Sequence, residues 1–254
     1  MEITQVADRV EAVRAIQERE VYGAIIGGET PEVLIATAAN PAIAPMLSAM
    51  AGSLQAQLPD VAPQVVVTDI VPFLDDDPRG SGLTAATLPL ILGGLIGGVE
   101  ISATATGWKN RSIALATYAL SAALLVTAIL QGWWGVPDGN WMLNTLAFTA
   151  SLLAVGSIVV GSVALMGNAG VAVGPVLFML FANPIGGVTV PKEFLPAPWG
   201  TNGQLFPPGA GASLLRSISY FPNASTLMPW IVLIGWAVIG FGMLVLGDRR
   251  GNAA

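Results

Sequence analysis

The stretch LTAATLPLILGGLIGGVEISATA, residues Leu83–Ala105, decides the fold of this chain. A hydrocarbon layer about 30 Å thick is crossed by roughly 20 apolar residues in a helix that rises about 1.5 Å per residue. The stretch has that length, and Glu100 is its only ionisable residue. We therefore predict a membrane-spanning helix here, and a helix buried in a soluble core is the alternative.

More apolar runs of similar length follow, each bounded by charges or turn residues. The five predicted spans are Leu83–Ala105, Ser112–Gln131, Trp141–Met166, Val171–Val188 and Met228–Gly247. Five such helices with almost no charge would leave a soluble protein with no water-facing surface. The sequence thus predicts an α-helical integral membrane protein, with residues 83–247 as its transmembrane domain.

The composition excludes several classes of function. Charged residues make up 10% of the chain and hydrophobic residues 54%, whereas soluble domains carry roughly 25% charged residues. Histidine and cysteine are absent, which excludes disulfides, thiolate or imidazole metal sites and Ser-His or Cys-His nucleophiles. The sequence has no G-x-x-x-x-G-K-[ST] phosphate loop. We expect no enzymatic activity, no cofactor and no metal, and the net charge of −6 argues against a nucleic-acid partner.

Basic residues in the connections predict the orientation, because cytoplasmic loops carry an excess of Lys and Arg. Lys109 and Arg111 lie between the first two spans, and Arg249 and Arg250 follow the last. Alternation of five spans puts both positive segments on one side, which we predict to be cytoplasmic. The chain is then a multi-pass protein of the plasma membrane, of bacterial type, with a cytoplasmic tail at residues 248–254.

The other connections are predicted to lie outside the cell. They comprise residues 1–82, the turn 132–140 and the outer loop 189–227. Tryptophans are typical of the membrane interface. Those expected at the outer interface are Trp133, Trp134, Trp141, Trp199 and Trp230.

Residues 1–82 are predicted to form a small extracytoplasmic α/β domain with its junction to the membrane. Apolar residues at helical spacing or in short β-branched runs predict, in order, the helix Val6–Glu20, the strands Val21–Gly27 and Val33–Ala38, the helix Pro41–Gln57 and the strand Gln64–Val71. Such a domain needs an upstream segment to carry it across the membrane, and the sequence begins without a signal-peptide pattern. We therefore expect a preceding membrane helix, and six helices in the complete protein.

The first predicted span carries the main candidates for helix packing and for an intramembrane polar site. Gly93, Gly94, Gly97 and Gly98 form two overlapping G-x-x-x-G patterns, which allow close approach of helix backbones in lipid. They suit either packing within one chain or a dimer face. Glu100 is a candidate for gating or transport, because an ionisable group in hydrocarbon is costly. The alternative is an anchor that reaches the interface or pairs with a nearby basic residue.

Two further segments are candidates for motion. Gly174-Pro175 and Asn183-Pro184 lie in the fourth predicted span, where proline breaks the backbone hydrogen bonding and creates a hinge. The alternative for the second pair is a helix that simply ends before Pro184, so Gly174-Pro175 is the better hinge candidate. Residues Ala210–Phe221 of the outer loop have apolar residues at helical spacing around Arg216. They predict a short helix at the interface or one that dips part-way into the membrane, an outer re-entrant segment with Gly209 and Gly211 at its start.

Three motifs resemble the permease subunits of ABC-2 type transporters. They are DPRGSGL at Asp77–Leu83, LPAPWG at Leu195–Gly200 and FPPGAGASLLRS at Phe206–Ser217. The pattern is similar to the actinobacterial branch related to the YhgE/Pip (phage infection protein) membrane proteins, over nearly the whole chain.

The resemblance implies six helices per subunit, a homodimer or heterodimer, and a separate cytoplasmic ATPase. It implies that the ATPase docks on the inner loop with Lys109, Asn110 and Arg111. Our first hypothesis is a permease that exports an amphipathic or lipid-like substrate. The alternative is a membrane-anchored envelope or receptor-like protein that binds a partner through its outer domain without transport.

Overall fold

A small α/β domain precedes the apolar helices, as the sequence predicts. The structure, a computed structural model, describes residues 5–28, 30–59, 63–188 and 190–251. The N-terminal domain contains, in order, α1 (Arg9–Gln17), β1 (Gly23–Ile26), β2 (Glu32–Ile35), α2 (Ile43–Gln55) and β3 (Val66–Asp69). Each lies within a segment predicted from residue spacing, except that β2 begins one residue before the predicted strand Val33–Ala38. Helix α1 begins where Asp8 accepts a hydrogen bond from the Glu11 backbone N–H at 2.8 Å.

The three strands form a sheet in the order β1-β2-β3. Strand β2 runs antiparallel to β1 and parallel to β3. Because alternate residues of a strand point to opposite faces, Val33 and Ile35 pack with α2, and Leu34 packs with Ile16 of α1. The domain thus has a helix on each face of its sheet.

Four helices of the remaining chain are long and apolar enough to cross a membrane. In order the helices are α3 (Ser81–Thr104), α4 (Trp108–Leu130), α5 (Trp141–Met166), α6 (Pro175–Ile185), α7 (Trp199–Gly203), α8 (Pro207–Tyr220) and α9 (Leu227–Gly251). The long ones are α3, α4, α5 and α9. Since α9 reaches Gly251, the predicted tail starts inside this helix, and residues 252–254 lie outside the described residues.

The fourth predicted span, Val171–Val188, differs from the prediction. A 3-10 turn occupies Gly167–Ala172, and the helix α6 begins only at Pro175. At about 1.5 Å per residue, α6 reaches roughly half of a 30 Å hydrocarbon layer. Most of α6 is a π-helix, over Pro175–Ala182. The apolar run is interrupted by glycines and prolines, which is why its length overstates the helix.

Contacts between the long helices define their directions. Gly94 and Gly98 of α3 face Val155 and Val159 of α5, so these two helices run parallel. Helix α9 also runs parallel to α5, because its Gly240 and Gly247 lie against Ser157 and Ala164. Helix α4 is antiparallel to α5, with Thr127 next to Thr145 and Leu115 next to Gly156.

These directions separate the two ends of the bundle. The domain end holds the starts of α3, α5 and α9 and the turn 131–140, and the far end holds Lys109, Arg111, Arg249 and Arg250. The two positive segments, predicted to share one side, therefore lie at the same end of the bundle, opposite the N-terminal domain. Since α5 and α9 run the same way, the chain between them returns to the domain end through α6 and the connection that follows it.

Helix α3 packs on α5 through glycine. A Cβ atom added at Gly94 would lie 2.7 Å from the Cβ of Val155, and one at Gly98 equally close to the Cβ of Val159. The Gly98 position also lies 3.0 Å from the Gly156 carbonyl oxygen. Any side chain at these positions would push the two backbones apart.

Of the other two glycines of the pattern, Gly97 faces α4, and Gly93 lies between Leu152 of α5 and Tyr118 of α4. A Cβ at Gly97 would overlap the ring of Tyr118, whose hydroxyl donates a 2.8 Å hydrogen bond to the Gly93 carbonyl oxygen. All four predicted packing glycines thus face helices of their own chain. Between packing within one chain and a dimer face, this arrangement favours packing within one chain.

Burial separates the central helix from the peripheral ones. We compare the most apolar 18-residue stretch of each helix. In α5, 72% of these residues are buried, against 22% in α4 and in α9. The exposed positions of α4 and α9 are themselves apolar and include Leu125, Ile129, Ile234 and Val238. Such faces are unsuited to water and are typical of helices in contact with lipid or with another apolar surface.

We predict that Gly98→Leu lowers the thermal stability of the protein in detergent, because a side chain there overpacks the α3–α5 contact at a cost of about 1–3 kcal/mol or more. The measurement is the midpoint of heat-induced loss of the monodisperse peak in fluorescence-detected size exclusion. The matched control is Gly242→Leu on α9, where a Cβ atom meets nothing within 4 Å. Equal shifts for the two variants would contradict this packing.

The junction between domain and bundle is built on Asp77. This carboxylate, 7% exposed, accepts hydrogen bonds from the backbone N–H groups of Ser81 at 2.9 Å and Gly82 at 2.7 Å. It therefore satisfies free amides in the first turn of α3. Asp75, two residues earlier, is exposed.

We expect Asp77→Ala to destabilise the protein by about 1–2 kcal/mol, because buried backbone N–H groups lose their acceptor. Thermal unfolding in detergent measures the effect. Asp75→Ala removes the same charge from the surface and should leave the midpoint within error. A comparable loss in both variants would mean that net charge, rather than capping, is responsible.

Candidate functional site

Helix α8 enters the bundle from its middle and ends at the domain end. Pro207 and Pro208 at its start line a crevice with Ile91 of α3 and Val155 of α5. Ile91 lies about 15 Å along α3 at 1.5 Å per residue. Of the two predicted placements for this segment, the structure favours the one that dips part-way into the helices.

Small residues permit this deep position. A Cβ at Gly211 would lie 2.9 Å from the Ser151 hydroxyl oxygen of α5, and one at Gly209 would overlap the Gly203 carbonyl oxygen. Gly209 therefore sits where two backbone segments touch, and Gly211 lies against a side chain of α5. Arg216, from the same predicted set, lies one and a half turns further on and is 8% exposed.

An aromatic cluster holds the connection against α9. The indole of Trp236 donates a 2.8 Å hydrogen bond to the Leu205 carbonyl oxygen. Its ring lies 5.4 Å from that of Phe178 in α6 and 5.5 Å from that of Phe206, between centroids. Such aromatic pairs contribute about 0.5–1.5 kcal/mol beyond the area they bury. The cluster ties α6, the start of α8 and α9 together at mid-depth.

The N-terminal domain sits on α8 and on the connection before it. Arg19 donates through Nη1 to the Ser213 carbonyl oxygen at 3.0 Å and to the Ser217 hydroxyl at 2.5 Å. The hydroxyl of Tyr22 donates to the Glu193 carboxylate at 2.7 Å. These bonds join residues that are more than 170 positions apart in the sequence. The domain is therefore fixed to the membrane-proximal segment that dips into the bundle.

A polar cavity lies where the N-terminal domain contacts α8 and the connection before it, and we call it the interdomain cavity. Its volume is about 50 Å³, and a single water needs about 10–15 Å³ on this measure. The polar and charged lining side chains are Arg19, Tyr22, Asn40, Lys192, Gln204, Ser213 and Arg216. Glycines 186, 187 and 209 complete the wall and bring backbone close to the cavity.

The electrostatics of the cavity are strongly positive. Burial, together with the neighbouring Arg216, lowers the pKa of Arg19 to about 10. Burial likewise lowers the pKa of Arg216. Burial and the bond to Glu193 raise the pKa of the Tyr22 hydroxyl, which keeps it a neutral donor. Two guanidinium groups thus share a poorly solvated site.

The backbone of Arg19 helps to place its side chain. Its φ angle is 61°, in the left-handed region that few residues other than glycine adopt. The chain reverses there directly after α1 and presents the guanidinium to α8. The guanidinium carbon lies 5.4 Å from the centroid of the Phe221 ring, in a cation–π contact.

The predicted intramembrane acid, Glu100, lies near the far end of α3 and is exposed. Among the described residues, its carboxylate forms no hydrogen bond or ion pair. The suggested partners are engaged elsewhere. Arg111 donates to the carbonyl oxygens of Ala105 at 2.9 Å and Ser102 at 3.0 Å, and Lys109 lies over the ring of Trp108. Arg111 therefore caps the last turn of α3.

The predicted hinge pairs lie at the two ends of α6. Gly174 touches Val159 of α5, where a Cβ would lie 2.6 Å from a methyl carbon, and Pro175 starts the π-helical stretch. Asn183 and Pro184 lie inside the helix, which continues to Ile185, rather than after its end. Asn110, the remaining predicted coupling residue, is exposed and donates to the Thr106 carbonyl oxygen.

Of the residues that line the interdomain cavity, Gly209 and Arg216 are the ones predicted as candidates from the sequence. Arg19 and Tyr22 escaped notice because they follow an amphipathic helix rich in charge, where a solvated side chain is the usual outcome. Glu193 lies in a loop that the sequence alone does not bring near the domain. The signal in the sequence was the single arginine in the otherwise uncharged Ala210–Phe221 segment.

Comparison of the chain with protein-family models, with curated proteins and with solved structures gives no match.

We predict that Trp236→Phe loosens the connection before α8, because the Leu205 carbonyl oxygen loses its donor at a cost of about 1 kcal/mol. Limited proteolysis in detergent should then cut residues 190–206 faster than in the wild type. Trp134→Phe is the matched control, since Trp134 is 59% exposed in the turn 131–140. Unchanged cleavage in Trp236→Phe would contradict the anchoring role of this indole.

Proposed function

We propose that this chain is the membrane permease subunit of an ABC-2-like exporter, which moves an amphipathic or lipid-like substrate with energy from a separate ATPase. The proposal rests on the chain segment between α5 and α9, which leads back to the domain end of the bundle and is not one continuous helix. It consists of the short helix α6, a proline-rich connection and the buried helix α8.

An interrupted path of this kind favours transport over simple anchoring. Irregular backbone at membrane depth is tolerated only where protein buries it or where it lines a cavity. Broken helices at mid-depth are common at the substrate sites of transporters. Gly174 and Pro175 mark the start of α6, where a change in backbone angles would move α6 against α5.

The far end of the bundle is where an ATPase would dock in this proposal. Its connections are short, and Lys109 and Asn110 are exposed there. Because Arg111 already caps α3, Lys109 is the better candidate for contact with an acidic patch on the partner. The lightly buried α4 and α9 leave apolar faces for lipid or for a second subunit, as a homodimer or heterodimer.

The amphipathic character proposed for the substrate has two supports. The resemblance to ABC-2 permeases implies it, and the helices expose apolar surface to the same layer in which a lipid-like molecule would dissolve. In this proposal the protein lies in the plasma membrane with the N-terminal domain outside and the far end of the bundle in the cytoplasm.

A second function, binding of an envelope partner without transport, is favoured by the surface of the N-terminal domain. Ile25 of the edge strand β1, and Val66 and Val67 of the opposite edge strand β3, are 42–53% exposed. Strand β3 forms an edge of the sheet. An apolar sheet edge is a known way to recruit another chain by strand addition.

The decisive experiment is reconstitution with the ATPase that co-purifies with the full chain. We expect ATP-dependent movement of a fluorescent lipid analogue in vesicles and none with a non-hydrolysable ATP analogue. Failure to recover any ATPase, together with absence of ATP-dependent flux, would remove the permease proposal and favour the binding function.

Within the same assay, Glu100→Gln should change the transport rate at an unchanged level of folded protein, because the exposed charge at the far end is lost. Glu20→Gln, at an exposed position of the N-terminal domain, is the matched control. Transport that is identical in Glu100→Gln and the wild type would reduce Glu100 to an interface anchor.

A further inference from the structure

We propose that the interdomain cavity binds one oxyanion group, a phosphate or a carboxylate, between Arg19 and Arg216. This inference does not depend on the proposed transport function. It rests on the charges, the free hydrogen-bond donors and the size of the cavity.

The charge of the cavity lacks an internal balance. The charged residues that line it are Arg19, Lys192 and Arg216, and all three are cations. Glu193 interacts electrostatically with Arg19, but it lies 3.8 Å from the Lys192 ammonium group and accepts from Tyr22. Neither guanidinium group forms an ion pair with a carboxylate of the described residues. A buried charge is unfavourable unless it is paired and hydrogen-bonded.

The two guanidinium groups also have N–H donors that no acceptor among the described residues uses. Arg216 is 8% exposed, and its one hydrogen bond to a described residue is a 3.4 Å contact with the Val188 carbonyl oxygen. An arginine has five N–H donors in a planar fork. Arg19 uses only Nη1, and its acceptors are the neutral oxygens of Ser213 and Ser217. Most N–H donors of the two guanidinium groups can therefore bind a ligand.

A neutral donor points to the same ligand class. Asn40 is 2% exposed, and its side-chain oxygen accepts from the Ala42 backbone N–H at 2.8 Å. That bond orients the amide so that its NH2 group is left over, with no hydrogen bond to a described residue. Cations and free amide donors around one cavity suit an oxygen-rich anion, which arginine forks bind in bidentate fashion. They disfavour a metal ion or another cation.

The size of the cavity limits the ligand to one small group. About 50 Å³ holds roughly three to five waters on the same measure, comparable to a single phosphate or carboxylate group. The cavity lies at the domain end of the bundle, beside the buried helix α8. An anion there would join the N-terminal domain to α8, because Arg19 and Arg216 come from those two parts.

The test uses the full chain in a neutral detergent. Sodium phosphate is titrated against sodium chloride at equal ionic strength, and thermal unfolding is followed by tryptophan fluorescence. We expect a saturable rise of the unfolding midpoint with phosphate in the wild type, since a ligand that binds only the folded state stabilises it. If phosphate raises the midpoint no more than chloride does, the proposal is overturned.

Variants localise the effect. Arg216→Met should abolish the phosphate response, and its midpoint in chloride should not fall below that of the wild type, because an unpaired buried charge is replaced by an apolar side chain. Arg19→Gln should weaken apparent phosphate affinity at least tenfold. Arg14→Gln is the matched control, since Arg14 forms a surface ion pair with Glu18 away from the cavity. A phosphate response retained in Arg216→Met would overturn the proposal.

The source of the anion is distinguished by a second ligand series. Micelles doped with phosphatidic acid are compared with micelles doped with phosphatidylcholine, in the absence of inorganic phosphate. Where inorganic phosphate stabilises the protein, further stabilisation by micromolar phosphatidic acid identifies a lipid headgroup as the natural source, and stabilisation by inorganic phosphate alone identifies a soluble anion. Both outcomes support an oxyanion site. Equal responses of the wild type and Arg216→Met to every ligand would remove it.

Discussion

The close contact of α3 and α9 with α5 is the constraint on which the rest of the structure depends. In lipid, apolar side chains gain little by leaving the solvent, so helices associate through tight van der Waals packing of small residues. Gly94 and Gly98 provide this contact on one side of α5, and Gly240 and Gly247 provide it on another. Because both contacts are parallel, the chain has to return between α5 and α9.

That return is where the structure departs from a simple bundle. A single straight helix would satisfy its own backbone hydrogen bonds, but glycine and proline interrupt the apolar run before and after α6. In the connection that follows α6, Pro191, Gly200 and Gly203 are buried and Trp236 holds the Leu205 carbonyl oxygen, whereas most of residues 192–199 are exposed. Neighbouring elements therefore hold part of this irregular segment.

The N-terminal domain adds a second level of organisation. It contacts α8 through Arg19 and the connection before α8 through Tyr22, and the Asp77 cap fixes its junction with α3. Movement of α8 would thus be transmitted to the domain. In the proposed permease, this coupling links events at mid-depth to the outer surface, and an anion at the interdomain cavity would strengthen it.

The sequence by itself determined the elements whose signals are local. Apolar runs uninterrupted by glycine or proline clusters became α4, α5 and α9, and residue spacing located α1, α2 and all three strands of the small sheet. The placement of Lys109 and Arg249 also established which connections share an end. These features follow from hydropathy and backbone preference within one segment, so no distant contact is needed to predict them.

Only the tertiary structure decided the length of α6, the depth of α8, the partners of the α3 glycines and the interdomain cavity. The same G-x-x-x-G pattern suits a partner helix of its own chain or of another, and only the fold selects α5 and α4. Arg19 and Arg216 are separated by almost two hundred positions, and their proximity depends on how the domain packs on the bundle. Long-range packing assigns each local pattern its partner, and a pattern within one segment contains no information about that choice.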